Sequence, residues 1–558
     1  MRTITFHKGV SGVVCALAVM LVSPSASGQV LNESAKLLAS DGAQGDQFGF
    51  SASVSGDVAV VGAFTDDDNG DFSGSAYMFR WNGSSWVQQQ KLLASDGVTG
   101  DQFGFSASVS GDVVVVGARS DDDNGTSSGS AYVFRWNGSS WAQEQKLLPP
   151  DGAAGDMFGW RVSVSGNVAV VGAPNHGDNG SNSGSAYVFR WNPGAPGSWV
   201  QEQKLLPSDG AAYDQFGVSV SVSGDVVVVG APRDDDACPT NPLCNSGAAY
   251  VFRWNPGAPG SWVQEQKLLP SDGQSLDDFG FSASISGGVA VVGAPNDANG
   301  NTSGSAYVFR RNGSSWVQEQ KLLATDGDSF GQFGWSVSVS GNVAIVGAHA
   351  DADNGHASGS AYVFRWNAGA PGSWVQEQKL LPLDGAADDR FGESVSVSGD
   401  VGVIGAFGDD ENGDSSGSAY VFVGLCDSDG DGVCDSDDVC PDSRVGETIV
   451  IDGCATGIAN EMSDNGCTRA DAVAVCAEEA RNHGQFVQCV AHLVNVWKRS
   501  GAINGADHGR ITHCAARADI PPSDDKHGNG SSGPARLSDR AAQPPNAKHP
   551  VPSSGGRN

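Results

Sequence analysis

The most explicit chemistry in this chain lies between residues 427 and 438. Asp427, Asp429 and Asp431 alternate, Gly432 permits a sharp turn, Val433 can offer its carbonyl, and Asp435 and Asp438 stand at positions nine and twelve of the loop. An oxygen-only donor set at this spacing suits a hard divalent cation taking six to eight oxygens, so calcium is the expected cofactor. Asp438 replaces the longer glutamate usual at the last position, which draws the loop closer to the ion or admits water.

A second group of carboxylates recurs earlier, at Asp66-Asp67-Asp68-Asn69, Asp121-Asp122-Asp123-Asn124, Asp234-Asp235-Asp236 and Asp409-Asp410-Glu411-Asn412. These are expected to be solvated turns set by Asn-Gly geometry. His483, His492, His508 and His513 form no metal-binding spacing and are expected to be surface or packing residues. No G-x-S-x-G elbow, phosphate loop or zinc-protease motif is present, so no enzyme is expected.

The elements that must carry these loops are repeated. A Phe-Gly pair recurs at Phe48, Phe103, Phe158, Phe216, Phe279, Phe333 and Phe391. The second unit shows the pattern: FSASVS from 105 to 110, a Gly-Asp turn, VVVVGA, an acidic loop, SAYVFRW, an Asn-Gly turn, and a fourth segment from Trp141. Four short segments of strand character in about 55 residues make a propeller blade. The seventh unit stops after Ser418-Ala-Tyr-Val-Phe422, lacking its fourth strand. Leu31 to Gly42 aligns without a gap on Trp86 to Gly97 and supplies it, which predicts a mainly β fold: a seven-bladed propeller closed by its N-terminal strand.

The units resemble FG-GAP repeats of the integrin α-subunit type, with Gly-Ala-Pro at Gly172-Ala173-Pro174, Gly230-Ala231-Pro232 and Gly293-Ala294-Pro295. The resemblance implies extracellular recognition or adhesion without chemistry. In that family calcium sits between the first two strands of a blade, whereas Ser55-Gly56-Asp57 and its equivalents are too short to wrap an ion. The segment CDSDGDGVCDSDDVCPDS resembles a thrombospondin type 3 calcium repeat, including Cys440-Pro441.

Arg2, Lys8, the apolar run Val10 to Val22 and the small residues Ser25 to Gly28 read as a cleaved export signal, with the mature chain starting near Gln29. The expected order is signal peptide 1–28, propeller 29–424, calcium-binding linker 425–454, cysteine-containing helical module 455–520 and disordered tail 521–558. Eight cysteines between 426 and 514 imply a stapled module, of unspecified pairing, and Cys238 with Cys244 a local clip. Sixty-four acidic against 32 basic residues, a net charge of −32, disfavour nucleic acid and anionic lipid and favour cations and basic partners. No transmembrane segment and no obligate oligomer are expected. The function expected is a secreted or cell-surface binding or adhesion protein for an extracellular protein or carbohydrate ligand, with calcium ordering the linker; a structural matrix component or an extracellular hydrolase are the alternatives. Arg119, His176, Arg233, His349 and His356 break the repeat and mark a candidate ligand face.

Overall fold

The computed structural model describes residues 33–425 and 448–518, apart from 195–196, 237–243, 258–259, 298–302, 328, 368–371, 461–467, 481 and 501. The first of two units is built from seven four-stranded antiparallel sheets. In the first blade the strands are Ser51–Ser55, Val58–Ala63, Ser75–Trp81 and Trp86–Leu92, running from the axis outward. Six of the seven second strands are buried along their whole length, and the seventh apart from Val401, because both faces meet neighbouring blades, which is why they read as apolar runs such as VVVVGA.

The alternating serines of the innermost strands have a specific task. Val109 N donates to Ser53 Oγ at 3.1 Å and Val164 N to Ser108 Oγ at 3.1 Å, and the pattern continues around to Val54 N on Ser396 Oγ at 3.0 Å. Each inner edge therefore satisfies its amides on the hydroxyls of the blade before it.

The two repeated motifs meet at the blade junctions. Phe103 is fully buried edge-on against Tyr132, 5.4 Å between ring centroids, and Gly104 has φ +92°. A Cβ on Gly104 would lie 2.1 Å from the Ser75 carbonyl oxygen, and one on Gly62 would lie 2.0 Å from the Gly104 carbonyl oxygen. The Phe-Gly turn of one blade thus presses on the Gly-Ala of the preceding blade, and only glycine leaves room for both backbones.

The ring closes as the alignment predicts. Glu33–Leu37 pairs antiparallel with Ser418–Val423 and completes the seventh sheet. Its bulge falls where every other fourth strand has one: Glu33 opposes Phe422 and Ala35 opposes Val421, as Gln88 opposes Phe79 and Gln90 opposes Met78.

The second unit holds a hairpin, Thr448–Ile451 with Cys454–Ala459, and three helices, α1 (Arg469–Glu479), α2 (His483–Ser500) and α3 (Gly505–Arg517). Ile449, Ile451, Phe486, Val490, Val494 and Ile511 form its core. Disulfides Cys454–Cys514 and Cys476–Cys489 tie hairpin to α3 and α1 to α2. The α3 N-terminus is a capping box in which Asn504 accepts from Asp507 N and Asp507 returns the bond. No described helix is long and apolar enough to cross a membrane.

Candidate functional site

The acidic loops of the propeller are not simple solvated turns. In the first blade Asp66 is buried, and its carboxylate lies 2.9 Å from the Tyr77 hydroxyl and 2.9 Å from Lys91 Nζ. The same ammonium reaches Asp41 at 2.9 Å and Asp68 at 2.6 Å and sits 5.1 Å over the Tyr77 ring. Burial alone would favour the neutral amine, but the bonds from Asp68, Tyr77, Asp66 and Asp41 outweigh it and hold the Lys91 pKa above its ordinary value. The lysine comes from the fourth strand, reaching back over the third to the loop that enters it. Lys36, Lys146, Lys204, Lys267, Lys321 and Lys379 repeat the arrangement. The loop carboxylates therefore already hold a cation, and it is covalently attached.

The third blade departs from the others. His176 stands where they have the buried aspartate, with Nε2 3.0 Å from Lys204 Nζ and 3.6 Å from Asp151. Asp151, His176 and Asp178 bring their donor atoms within 4.8 Å of one another, a set that could hold a metal ion if Lys204 moved aside.

A different environment surrounds the axis at the end of the propeller where inner strands begin and second strands end. The residue after each Phe-Gly projects here: Phe50, Phe105, Trp160, Val218, Phe281, Trp335 and Glu393. Phe50 packs on Phe64, Phe105 and Phe407, and Phe105 on Trp160, with centroids 4.4 to 5.6 Å apart. Inside this aromatic collar is a lumen of about 150 Å³ lined by Phe50, Phe281, Trp335, Arg161 and Glu393. Val218 leaves a notch between Trp160 and Phe281, and a side lobe of about 350 Å³ opens there, flanked by Arg233 and Asp278.

Four arginines converge on this mouth. Arg119 lies 3.6 Å over Phe105 and 4.8 Å over Trp160, and donates to Gln102 Oε1 at 2.7 Å. Arg161 replaces the serine found at its position in the other six units; it is half-buried, 5.6 Å over Phe105, with one hydrogen bond to the Trp160 carbonyl oxygen at 3.3 Å. Arg390 lies over Phe407, and Arg233 is exposed. Among the described residues none of the four is ion-paired, while every other arginine and lysine of the described propeller is. Burial and then the neighbouring Arg161 charge pull the Arg119 pKa down to about 10.

The one carboxylate in the lumen, Glu393, is 7% exposed, and burial pushes its pKa up to about 7 against the opposing pull of the Trp335 bond, Arg161 and Arg390. His349 is 3% exposed, 4.1 Å from the Trp335 ring, and its Nδ1 is 3.8 Å from Glu393 without a hydrogen-bond partner. Burial holds it neutral, with its pKa lowered to about 3.

Of the repeat-breaking residues marked in the sequence, Arg119, Arg233 and His349 meet at this mouth. His176 belongs to a lysine clamp, and His356 lies exposed beside Asp388 at 2.8 Å. Arg161, Arg390, Glu393, Trp160 and Trp335 were not marked; the signal of Arg161, Glu393, Trp160 and Trp335 was departure from the Phe-Gly-Phe-Ser consensus, and that of Arg390 was departure from the glutamine that most often precedes Phe-Gly. The predicted calcium ligands Asp427, Asp429, Asp431, Val433, Asp435 and Asp438 lie outside the described residues, as does Cys238, whereas Cys244 is disulfide-bonded.

A closed ring of seven blades with a lined axial mouth defines an interaction-mediating propeller of the FG-GAP architecture. Seven stretches, 31–79, 86–134, 141–189, 199–252, 262–309, 316–364 and 374–422, match the FG-GAP repeat, and the chain belongs to the FG-GAP repeat family. A solved structure with a likeness to the chain, titled crystal structure of the Saccharomyces cerevisiae Sqt1, is 11% identical with a TM-score of 0.38, covering 70% of this chain and 99% of that one. No curated protein matches the chain.

Proposed function

We propose that this is a secreted or cell-surface binding protein whose propeller holds an extracellular protein or glycan ligand at the arginine-lined mouth of its axis. The observation that carries this reading is the gathering of the unpaired arginines at one mouth of a chain whose other propeller cations are neutralised in place. Uncompensated charge beside half-exposed aromatic rings supplies both orientation and contact area for a partner. The family's interaction-mediating architecture supports the reading, and the positively charged, then apolar, N-terminal segment supports export. In the same proposal calcium is bound by Asp427, Asp429, Asp431, Asp435 and Asp438 and by the Val433 carbonyl, in a loop resembling a thrombospondin type 3 repeat, and orders the segment that follows the propeller.

The test compares the full-length protein with an Arg119→Ser/Arg161→Ser/Arg233→Ser variant and an Arg80→Ser/Arg253→Ser variant for retention on immobilised matrix proteins and glycans. Loss confined to the first variant is expected, and equal retention by all three would refute the mouth as the binding face. N-terminal sequencing of protein recovered from the medium checks export, with a start near Gln29 expected. Calorimetric titration of the full chain with calcium should show binding that Asp429→Ala or Asp431→Ala abolishes.

A further inference from the structure

The mouth itself narrows the class of ligand. Arg119 and Arg161 form no ion pair and lie on the same Phe105 ring, while Asp278 stands beside Arg233, so an incoming anion at Arg119 and Arg161 relieves a repulsion already present. The lumen is narrow, about 150 Å³, which admits one small ring or chain end and excludes a folded loop. Its wall carries two kinds of group besides charge. Phe50, Trp160, Phe281 and Trp335 are half-exposed flat faces. Below them, Ser51, Ser106, Ser219, Ser282, Ser336 and Ser394 each donate their hydroxyl proton to a backbone carbonyl, as Ser51 Oγ does to Gly104 O at 2.9 Å. That leaves a ring of hydroxyl oxygens facing the axis as acceptors only.

We infer that this mouth takes the acidic end of a glycan, a uronate residue whose carboxylate pairs with Arg161 while its ring stacks on the collar and its hydroxyls donate to the serine ring. A pyranose offers apolar C–H faces to the aromatics and donors to the acceptor ring at once; the planar carboxylate matches the guanidinium fork. His349, buried behind Trp335 with an unpartnered Nδ1, backs the lumen beside Glu393. The adjacent pocket beside Val218 and Arg233, which shares the Phe281 wall with the lumen, is the place assigned to the next sugar. Glu393 opposes the ligand's charge while ionised, flanked by Arg161, Arg390, Trp335 and neutral His349, so its protonation as the pH drops towards 6 favours binding.

This inference rests on the mouth being the binding face, and its test separates the two ideas. The full-length protein is titrated by calorimetry and tryptophan fluorescence with a trigalacturonate, with its methyl ester, and with an acidic peptide ending in a free carboxylate. Arg161→Ser installs the residue that the other six units carry, so it keeps the fold, and Arg253→Ser is the paired outer control. Trigalacturonate should bind and change the tryptophan emission, with the methyl ester and Arg161→Ser each weaker by about tenfold or more and Arg253→Ser unchanged. Glu393→Gln should bind more tightly and lose the dependence on pH. Equal binding of acid and ester, full binding by Arg161→Ser, or no binding of the trigalacturonate would overturn the uronate. Peptide binding alone, lost in Arg161→Ser, would overturn the uronate while leaving the mouth as the binding face.

Discussion

Replacing Lys91 by methionine isolates the lysine clamp. The side chain keeps its length and apolar stem, and what disappears is the ammonium 2.9 Å from Asp66 and Asp41 and 2.6 Å from Asp68. Asp41 and Asp68 are half exposed, and water replaces the lysine there at a cost of about 1 kcal/mol or less each. Asp66 is 3% exposed and keeps only the Tyr77 hydroxyl and the Asp68 amide. Stranding a buried charge by removing its partner costs about 3–5 kcal/mol, so Asp66 decides the outcome and a loss of about 3–4 kcal/mol is expected. For a propeller of about 390 residues the unfolding entropy is roughly 0.8 kcal/mol per kelvin, which turns that loss into a midpoint lower by about 4–5 °C. Differential scanning calorimetry of the full chain reads it directly. Adding Asp66→Asn should return most of the loss, because the amide needs no counter-ion. A midpoint within about 1 °C of the parent, or a double variant no better than Lys91→Met, would show that the clamp is ornamental to stability.

Deleting residues 29–38 removes the last strand of the seventh sheet and the Lys36 clamp on Asp384, Asp409 and Glu411, and should broaden or abolish the main calorimetric transition, with aggregation seen by light scattering. An unchanged midpoint would refute closure by this strand. Burial raises the pKa of Asp46, Asp101, Asp277 and Asp389 to about 6 and of Asp214 and Glu393 to about 7, so their contribution is complete below the ordinary carboxylate range and is lost as the pH rises through 6 to 7. Lysine-bound Asp41, Asp96, Asp272 and Asp384 are shifted the other way, by bonds that outweigh burial, and their contribution is lost as the pH falls below about 4. The first group's loss begins once unfolded carboxylates ionise, so melting should be highest near about pH 4 and lower at both pH 8 and pH 2, and a flat profile would contradict this. In the second unit Cys454–Cys514 closes 60 residues and Cys476–Cys489 closes 13, so chain entropy makes them worth about 4 and 3 kcal/mol. Replacing the first pair by alanine should expose that unit to limited proteolysis sooner than replacing the second.

The blade count and the closing strand were legible because each strand is printed seven times, and a fragment at one end can only fit a gap at the other. The inner-strand serines were legible as alternation, though not as acceptors for the neighbouring blade. The lysine clamp was hidden for a physical reason: Lys91 and Asp66 are 25 residues apart and meet only once third and fourth strands pair. Its signal was a lysine at the same register of all seven fourth strands, facing the acidic loops across the sheet. The mouth was half legible. Arg119, Arg233 and His349 interrupt loops and stood out, whereas Arg161, Trp335 and Glu393 immediately precede inner strands and passed as variation. The hairpin of the second unit had its own signal in TIVI and CATGIA around Asp452-Gly453, both with positive φ as a tight primed turn requires.

The closing strand also imposes an order of events on biosynthesis. Lys36 and Glu411 are 375 residues apart in the chain and neighbours in the ring. At translation rates of about 5–20 residues per second, the first strand made waits roughly 20–75 seconds for its partner to exist. Throughout that interval an early blade can form its sheet, but no arc of blades can become a ring. The last third strand to be synthesised is therefore the event that commits the molecule, and any ribosome that stops short of residue 418 releases an open crescent with two sticky ends, suited to joining another crescent rather than itself.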